Sequence, residues 1–353
     1  MTLTGSYELC RRLNARHGRS YYLATLLLPA WKRPHVHALY GFARYADEIV
    51  DSFTVTGDRA AALDGLTARL TRVLAGDSGA LNGSDGSSGF GGSTGSNRSG
   101  GSNGPDGSSG SGDSNGSGGS GALGGPGGFR GFGGDPVLPA FVQTVRSFGI
   151  DHGDIRAFLR SMRADLTVSR YATYDDLLGY MEGSAAAIGT MMLPVLEPLP
   201  GREEQAHEPA RQLGLAFQLT NFLRDVAEDL ARGRIYLPLE DLDAFGVREA
   251  DLGRRGLTPA LRELLAFEVR RARGHYRLAM EGVDLLTPSS RPCIRAACEL
   301  YGGILDRIEA GGHDVLGTRV TVPGHRKLAI FARHLLAASV ADRTERRMTV
   351  RAP

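Results

Sequence analysis

The sequence predicts an all-α protein that forms a single domain. Apolar residues recur every three or four positions along most of the chain, and no segment shows the alternating apolar pattern of a β-strand. Hydrophobic residues occupy 41% of the 353 positions, which is enough for a sizeable core. This length also allows two domains, but the composition favours one domain, residues 6–340, that is interrupted once.

Helices are predicted on both sides of the interruption. Before it, residues 6–75 have a helical pattern, in which Arg33–Asp51 has helical spacing and a proline near its first turn and Ala60–Leu74 continues the pattern. After it, the predicted helices are Pro136–Phe148, Asp154–Leu166, Tyr174–Leu193, Glu203–Ala231, Pro259–Met280 and Arg291–Glu309. Small residues in Tyr174–Leu193 allow close approach of another helix or of a long apolar ligand. Residues 344–353 are basic and are predicted to form a frayed tail.

A long run of Gly, Ser and Asn at residues 76–134 interrupts the helical pattern. Such a segment buries too little apolar surface to offset the entropy lost on ordering, so we expect a flexible insertion. With roughly 60 residues it has an r.m.s. span of about 40 Å, which lets it join neighbouring helices without strain.

Two predicted helices carry acidic stripes. Asn221, Asp225 and Asp229 are four residues apart, so they stack on one helical face about 6 Å apart. Asp47 and Asp51 repeat this spacing. Like charges so placed repel, and the helices carry them at low cost only if a cation or a basic partner neutralises them.

The repetition of the stripe predicts a metal-dependent diphosphate site. Glu48 lies beside Asp47, and Arg44 lies one turn earlier. A single acidic pair is usually a solvated surface, but two pairs flanked by arginines are less readily explained in that way. Mg²⁺ takes one or two protein carboxylates and completes its coordination with water and substrate phosphate. Mg²⁺ is therefore the expected cofactor, and Mn²⁺ is a second candidate ion.

Charge and cysteine content argue against several functions. The formal net charge of +2 gives no sign of a nucleic-acid partner. Neither lysine, Lys32 nor Lys327, follows a glycine, so there is no G-K-[ST] phosphate loop. Three cysteines are too few for a disulfide framework, and no signal pattern or membrane-spanning run is present. We expect a cytoplasmic protein, or one that contacts the inner face of the membrane peripherally.

Four motifs together resemble the squalene and phytoene synthase family, the head-to-head prenyl diphosphate synthases. They are HGRSYY at 17–22, ALYGFARYADEIVD at 38–51, LGY at 178–180 and QLTNFLRDVAEDLARGRIYLP at 218–238. The similarity covers the chain except for the Gly/Ser insertion and is greatest to bacterial phytoene synthases. It implies an isoprenoid-synthase-type helical bundle around a central apolar cavity, with the two acidic helices facing each other.

The resemblance implies a role for each residue that matches a family motif. The expected Mg²⁺ ligands are Asp47, Asp51, Asp225 and Asp229, with Asn221 and Glu48 as further candidates. Residues expected to contact the diphosphate or line the cavity mouth are His17, Ser20, Tyr40, Arg44, Gln218, Arg224 and Tyr236. Tyr180 matches the family tyrosine near the reacting carbons. The first motif has Glu48 where many members have aspartate.

Arginines and an aromatic ring complete the expected chemistry. Arg44, Arg224 and Arg234 each offer a planar fork of donors to phosphate oxygens, and the competing role for each is a salt bridge to a neighbouring aspartate. Once pyrophosphate leaves, the carbocation must be kept from water in an apolar cavity. The face of Tyr180 can stabilise that positive charge.

The family implies condensation of two geranylgeranyl diphosphates to phytoene, through a cyclopropylcarbinyl diphosphate, in carotenoid biosynthesis. No NADPH is needed for this reaction. The nearest rival reaction joins two farnesyl diphosphates to squalene or dehydrosqualene, and squalene formation needs a hydride donor. Cavity depth decides between these substrates.

Two hypotheses of a different kind remain at this stage. One is a non-catalytic subunit that binds prenyl lipids, which the four retained aspartates argue against. The second is a head-to-tail or cyclising synthase, which would share the metal chemistry but normally uses different acidic motifs. Its products would retain a diphosphate or be cyclic.

Overall fold

The computed structural model describes residues 1–51, 58–76, 135–253, 256–317 and 319–351, with side chains up to residue 341. The predicted insertion, 76–134, lies outside this part of the chain except for its first residue. The described residues contain helices and no strand, and Pro198 and Leu286 form an isolated β-bridge. The prediction of an all-α protein is confirmed.

The α-helices follow one another along the chain with short connections between most of them. Their bounds are α1 Leu3–His17, α2 Arg19–Thr25, α3 Arg33–Asp51, α4 Arg59–Leu74, α5 Leu138–Phe148, α6 His152–Ala164, α7 Tyr174–Met181, α8 Ala187–Leu196, α9 Glu203–Ala231, α10 Leu239–Ala244, α11 Glu249–Leu252, α12 Pro259–Glu281, α13 Arg291–Ala310 and α14 Gly324–Arg351. A π-helix, Glu182–Ala186, joins α7 to α8, and a 3₁₀-helix, Val283–Leu285, follows α12.

The two helices that carry the acidic stripes, α3 and α9, have the bounds that the sequence predicts. Each helix buries an apolar face whose residues recur at helical spacing, and this burial stabilises the helix. In α3 the buried residues include Val36, Leu39 and Phe42, and in α9 they include Leu215 and Leu219. This packing leaves the opposite faces free to carry charge.

The prediction of a single α-helix at Tyr174–Leu193 is wrong in detail, because a π-helix interrupts the α-helix and α8 continues to Leu196. The interruption occurs where neighbouring helices come very close. A Cβ atom on Gly183 would overlap the carbonyl oxygen of Ala157 in α6, and one on Gly189 would overlap the carbonyl oxygen of Ala210 in α9. Small residues here therefore permit close helix packing, which is one of the two predicted uses.

Three helices were not predicted from the sequence. α10 and α11 are short, and α14 extends over Gly324–Arg351, so the backbone of residues 344–351 continues a helix and the prediction of a frayed tail there is wrong. The helical pattern of α14 is hard to recognise because apolar residues such as Leu328 and Leu336 lie on its exposed side, while Ile330 is buried.

The apolar core consists of two main clusters on either side of the central helices. One joins α3 to α4, α5, α6 and α8, and the other joins α7 to α9, α12 and α13. α9 packs along α8 and α12, whereas α3 packs along α1 and α5. This arrangement leaves space between α3 and α9, and residues of both helices line that space.

Candidate active site

A deep apolar cavity of about 270 Å³ lies between α2, α3, α8, α9 and α13. Its wall contains Tyr40 and Ala43 from α3 and Phe217 and Gln218 from α9, so two of the predicted mouth residues line it. Further along, the wall consists of aliphatic and small side chains, including Leu28, Ile188, Met192, Leu196, Leu286 and Ala297. A long hydrocarbon chain fits this lining because almost no polar group interrupts it.

The two acidic stripes continue from helix residues that line the cavity, because Asp47 follows Ala43 by four residues and Asn221 follows Phe217 by four. Arg234, just after α9, donates a hydrogen bond of 2.7 Å to Asp51 at the end of α3. Burial raises the pKa of Asp229 to about 7, and the negative charges of Asp225 and Asp51 contribute to that rise. Asp51 therefore acts electrostatically on the α9 stripe, which places both stripes around one opening.

Arginines already neutralise most of these carboxylates. Arg44 binds Asp47 at 2.5 Å and Glu48 at 2.6 Å. Arg224 pairs with Asp225, and Arg319, from the segment before α14, binds the same carboxylate at 3.0 Å. The structure therefore shows Arg44 and Arg224 in salt bridges with neighbouring carboxylates, which is the role that competes with phosphate binding.

Two groups at the opening lack a partner of their own. Asp229 makes no ion pair within the part of the chain that the structure describes. The side-chain oxygen of Asn221 is buried and has no hydrogen-bond partner. A buried acceptor without a donor is unfavourable, and a cation placed beside it would satisfy it. The pKa of Asp47 is raised as well, by burial and then by Asp51, although the 43% exposure of its side chain lets water screen that effect.

The donor set fits a divalent cation that arrives with a diphosphate. The described residues contain no group of three or more His, Cys, Asp or Glu side chains that could hold a metal ion by themselves. Magnesium does not require such a group, because it binds one or two carboxylates and keeps water and phosphate oxygens as its remaining ligands. The aspartates of the two stripes and the unpartnered oxygen of Asn221 supply hard oxygen ligands of this kind.

The remaining predicted residues lie around this opening in different ways. His17 ends α1, and the charges of Arg44 and Glu48 act on its ring, whose pKa burial lowers. Ser20 lies in the first turn of α2. Tyr236 stacks on Phe222, with ring centroids 4.0 Å apart, and does not line the apolar cavity.

Tyr180 is also absent from the cavity wall. It belongs to a buried aromatic cluster with Tyr171 and Tyr236, with ring centroids 5.3 and 6.0 Å from its own. Its hydroxyl donates to Asp165 at 2.7 Å. Ser184, four residues later, does line the cavity, so Tyr180 lies about one helical turn from it.

Four residues at or near the opening were not predicted from the sequence: Asp165, Tyr171, Arg232 and Arg319. Arg232 lies 3.4 Å from Asp51, and Arg319 binds Asp225. Asp165, Tyr171 and Arg319 are brought to the site by tertiary packing from a loop or a helix end, whereas Arg232 follows Asp229 by three residues at the end of α9. Because a single residue in a loop has no periodic neighbours, no sequence pattern distinguishes it from a surface residue.

Comparisons with known proteins agree with the predicted family. The family model for squalene/phytoene synthase matches residues 14–326. A phytoene synthase of Arthrospira platensis is 33% identical over 349 residues, covering 96% of this chain and 95% of that protein. A 15-cis-phytoene synthase of Synechococcus elongatus is 31% identical over 348 residues, with 96% and 95% covered.

The fold agrees as well. A crystal structure of a dehydrosqualene synthase in complex with ligand superposes with a TM-score of 0.72 at 24% identity, covering 94% of this chain and 96% of that one. With the family model matched over most of the chain, this protein belongs to the squalene/phytoene synthase family.

Proposed function

We propose that this protein is a prenyltransferase that condenses two geranylgeranyl diphosphates head to head to phytoene. The observation that carries the proposal is the bond between Arg234 and Asp51, which joins the segment after α9 to the end of α3, two helices that also line a deep apolar cavity. The phytoene synthases of A. platensis and S. elongatus match almost the full length of the chain and support this choice of product.

The acidic residues have a distinct task in this reaction. Asp47 and Asp51 on one stripe, and Asp225 and Asp229 on the other, would hold Mg²⁺, with Asn221 and Glu48 as further oxygen ligands. Bound Mg²⁺ supplies the positive charge that stabilises the departing pyrophosphate. Without that charge the carboxylates would repel the diphosphate, so the protein depends on a divalent cation.

The arginines orient the diphosphate. Arg44, Arg224 and Arg234 lie close enough to the acidic stripes to exchange a carboxylate partner for a phosphate oxygen. Their planar donor pairs match phosphate geometry. His17, Ser20, Tyr40, Gln218 and Tyr236 are proposed to complete the walls around the diphosphate.

The cavity protects the cationic intermediates. Its aliphatic wall excludes water, which would otherwise capture a carbocation. Two rounds of ionisation are needed: the first releases one pyrophosphate and one proton as the chains join in a cyclopropylcarbinyl diphosphate, and the second releases the remaining pyrophosphate and rearranges the carbon skeleton. Loss of a proton then gives the conjugated triene of phytoene, without a hydride donor.

Contact with a membrane is proposed to be peripheral, because substrates and product are long hydrocarbons. Within the described residues, no helix is both long enough and apolar enough to cross a bilayer. Exposed apolar side chains on α14, including Leu328 and Leu336, offer a surface for such contact.

Product analysis tests this function. The purified protein is incubated with Mg²⁺ and either geranylgeranyl or farnesyl diphosphate, with and without NADPH, and the extracted hydrocarbons are identified by mass. The expected product is phytoene, formed without NADPH. Exclusive formation of a C30 hydrocarbon, or a requirement for NADPH, would identify the farnesyl reaction instead.

A further inference from the structure

The carboxylate of Asp165 joins two parts of the site. The hydroxyl of Tyr180 donates to it at 2.7 Å, and the hydroxyl of Tyr236 lies 3.4 Å away. The guanidinium of Arg234 reaches the backbone carbonyl of Asp165, also at 3.4 Å. Because Arg234 binds Asp51, Asp165 lies between the acidic opening and the aromatic cluster.

The position of Asp165 does not favour stability. It directly follows Ala164, the last residue of α6, where the helix dipole places partial negative charge and disfavours a carboxylate. Asp165 makes no ion pair in the part of the chain whose side chains are described. Burial raises its pKa to about 6, the hydrogen bond from Tyr180 and the charge of Arg234 oppose that rise, and the charge of Asp51 adds to it. A carboxylate kept in such surroundings is characteristic of a functional site.

The aromatic cluster contains a tyrosine hydroxyl without a hydrogen-bond partner, and the charge of Asp165 acts on it. Tyr171 is 5% exposed, and its hydroxyl is buried without a partner. The charge of Asp165 acts on that hydroxyl, whose pKa burial raises above its usual range. Three tyrosine rings are thus arranged around one carboxylate.

The bond to Asp165 changes what Tyr180 can do. A hydrogen bond from a phenol to a carboxylate is charge-assisted and holds the ring in one orientation. It also draws the proton away from the phenol oxygen, which makes the ring richer in electrons and a better partner for a cation on its face.

We propose that Asp165 is a positioning residue for the cationic steps, acting through the hydroxyl of Tyr180 rather than by binding metal or diphosphate. This inference rests on the proposed function, because it requires a carbocation near the Tyr180 ring. It predicts that Asp165 contributes to turnover and contributes nothing to substrate affinity or to folding.

The test compares Asp165→Asn, Tyr180→Phe and the double variant with the wild type. Asparagine keeps the shape and an acceptor oxygen while it removes the charge, and Asp175→Asn, at an exposed position on α7, is the matched control. The measurements are kcat and KM for hydrocarbon formation, the affinity for Mn²⁺ with inorganic pyrophosphate, and the Tm.

Asp165→Asn should lower kcat by about 10- to 100-fold, the size of loss that follows removal of an orienting partner. The substitution should leave KM and the affinity for Mn²⁺ with pyrophosphate at wild-type values. The Tm should stay the same or rise slightly, because an unfavourable charge at a helix end is removed. In the Tyr180→Phe background the same substitution should cause no further loss, because the hydroxyl through which Asp165 acts is absent.

Three results would overturn the inference while leaving the proposed function intact. They are an unchanged kcat in Asp165→Asn, losses that multiply in the double variant, and a weakened Mn²⁺–pyrophosphate affinity, which would make Asp165 a metal ligand. A wild-type protein that converts no prenyl diphosphate would instead defeat the proposed function, and the inference with it.

Discussion

Arg234 and Asp51 lie 183 positions apart in the sequence and are joined by a hydrogen bond of 2.7 Å. The bond connects the segment after α9 with the last residue of α3. Arginines that pair with carboxylates in this way offset the repulsion between the two acidic stripes and keep them close together. The proposed function requires the same arginines to bind phosphate when a cation takes their place.

The first prediction concerns a proposed metal ligand. Asp225→Asn should lower the rate of phytoene formation by about 10²-fold or more, because it removes a charged oxygen ligand from the site that stabilises the leaving group. Helical content, measured by circular dichroism, should not change, because Asp225 lies on the cavity side of α9. A variant with wild-type turnover would show that Asp225 has no part in the reaction.

The second prediction is that pyrophosphate promotes metal binding. Mn²⁺ alone must displace arginines from Asp51 and Asp225, whereas with pyrophosphate the arginines gain new partners. Free Mn²⁺, followed by electron paramagnetic resonance, should therefore bind much more tightly when inorganic pyrophosphate is present.

Arg319→Gln provides a sharper version of this experiment. Arg319 is half exposed and binds Asp225 at 3.0 Å, so its removal should strengthen Mn²⁺ binding without pyrophosphate by about threefold, which corresponds to a partly exposed ion pair. Arg307→Gln, at an exposed position on α13, is the control and should have no effect. Equal affinities in all three proteins would contradict competition by arginine.

The third prediction concerns stability and pH. Glu268 is 2% exposed and shares Arg271 with Asp241, at 2.6 and 2.7 Å. Burial raises the pKa of Glu268 to about 8 from its ordinary value of 4.5. The folded state therefore holds this proton more tightly than the unfolded state does.

The stabilisation from Glu268 is complete below pH 4.5 and is lost as the pH rises to about 8. The contribution of Glu268 to the free energy of unfolding, followed by urea unfolding, should decline by up to about 1.4 kcal/mol for each pH unit between these values. Glu268→Gln should flatten this decline, and Glu263→Gln, at an exposed position on the same helix, should not. The same pH dependence in both variants would rule out Glu268 as its source.

The fourth prediction concerns the close contact between α8 and α9. Gly189→Ala places a Cβ atom against the carbonyl oxygen of Ala210, so the helices must separate. The free energy of unfolding should fall by about 1–3 kcal/mol, the usual cost of overpacking. Gly302→Ala is the control: nothing lies within 4 Å of its added Cβ atom, and alanine favours a helix. A Gly189→Ala variant as stable as the wild type would mean that α8 and α9 can separate at no cost.

The sequence predicted α3 and α9 to the residue because each combines a regular buried face with an acidic stripe. Of the mouth residues predicted on these two helices, Tyr40 and Gln218 line the cavity, and the metal-binding roles of the aspartates stay predictions. It did not predict the π-helix, which depends on the contact of Gly183 with α6, a helix that is distant in the sequence. Asp165 and Arg319 were missed for the same reason, since only folding brings them to the stripes.

The most direct test of the proposed site is a crystal structure with Mn²⁺ and inorganic pyrophosphate, in which anomalous scattering locates the metal. The expected result is Mn²⁺ between pyrophosphate and the carboxylates of Asp47, Asp51, Asp225 and Asp229, with Arg234 moved from Asp51 to a phosphate oxygen. Carboxylates that remain paired with arginines, and Mn²⁺ bound elsewhere or absent, would contradict the proposed metal site.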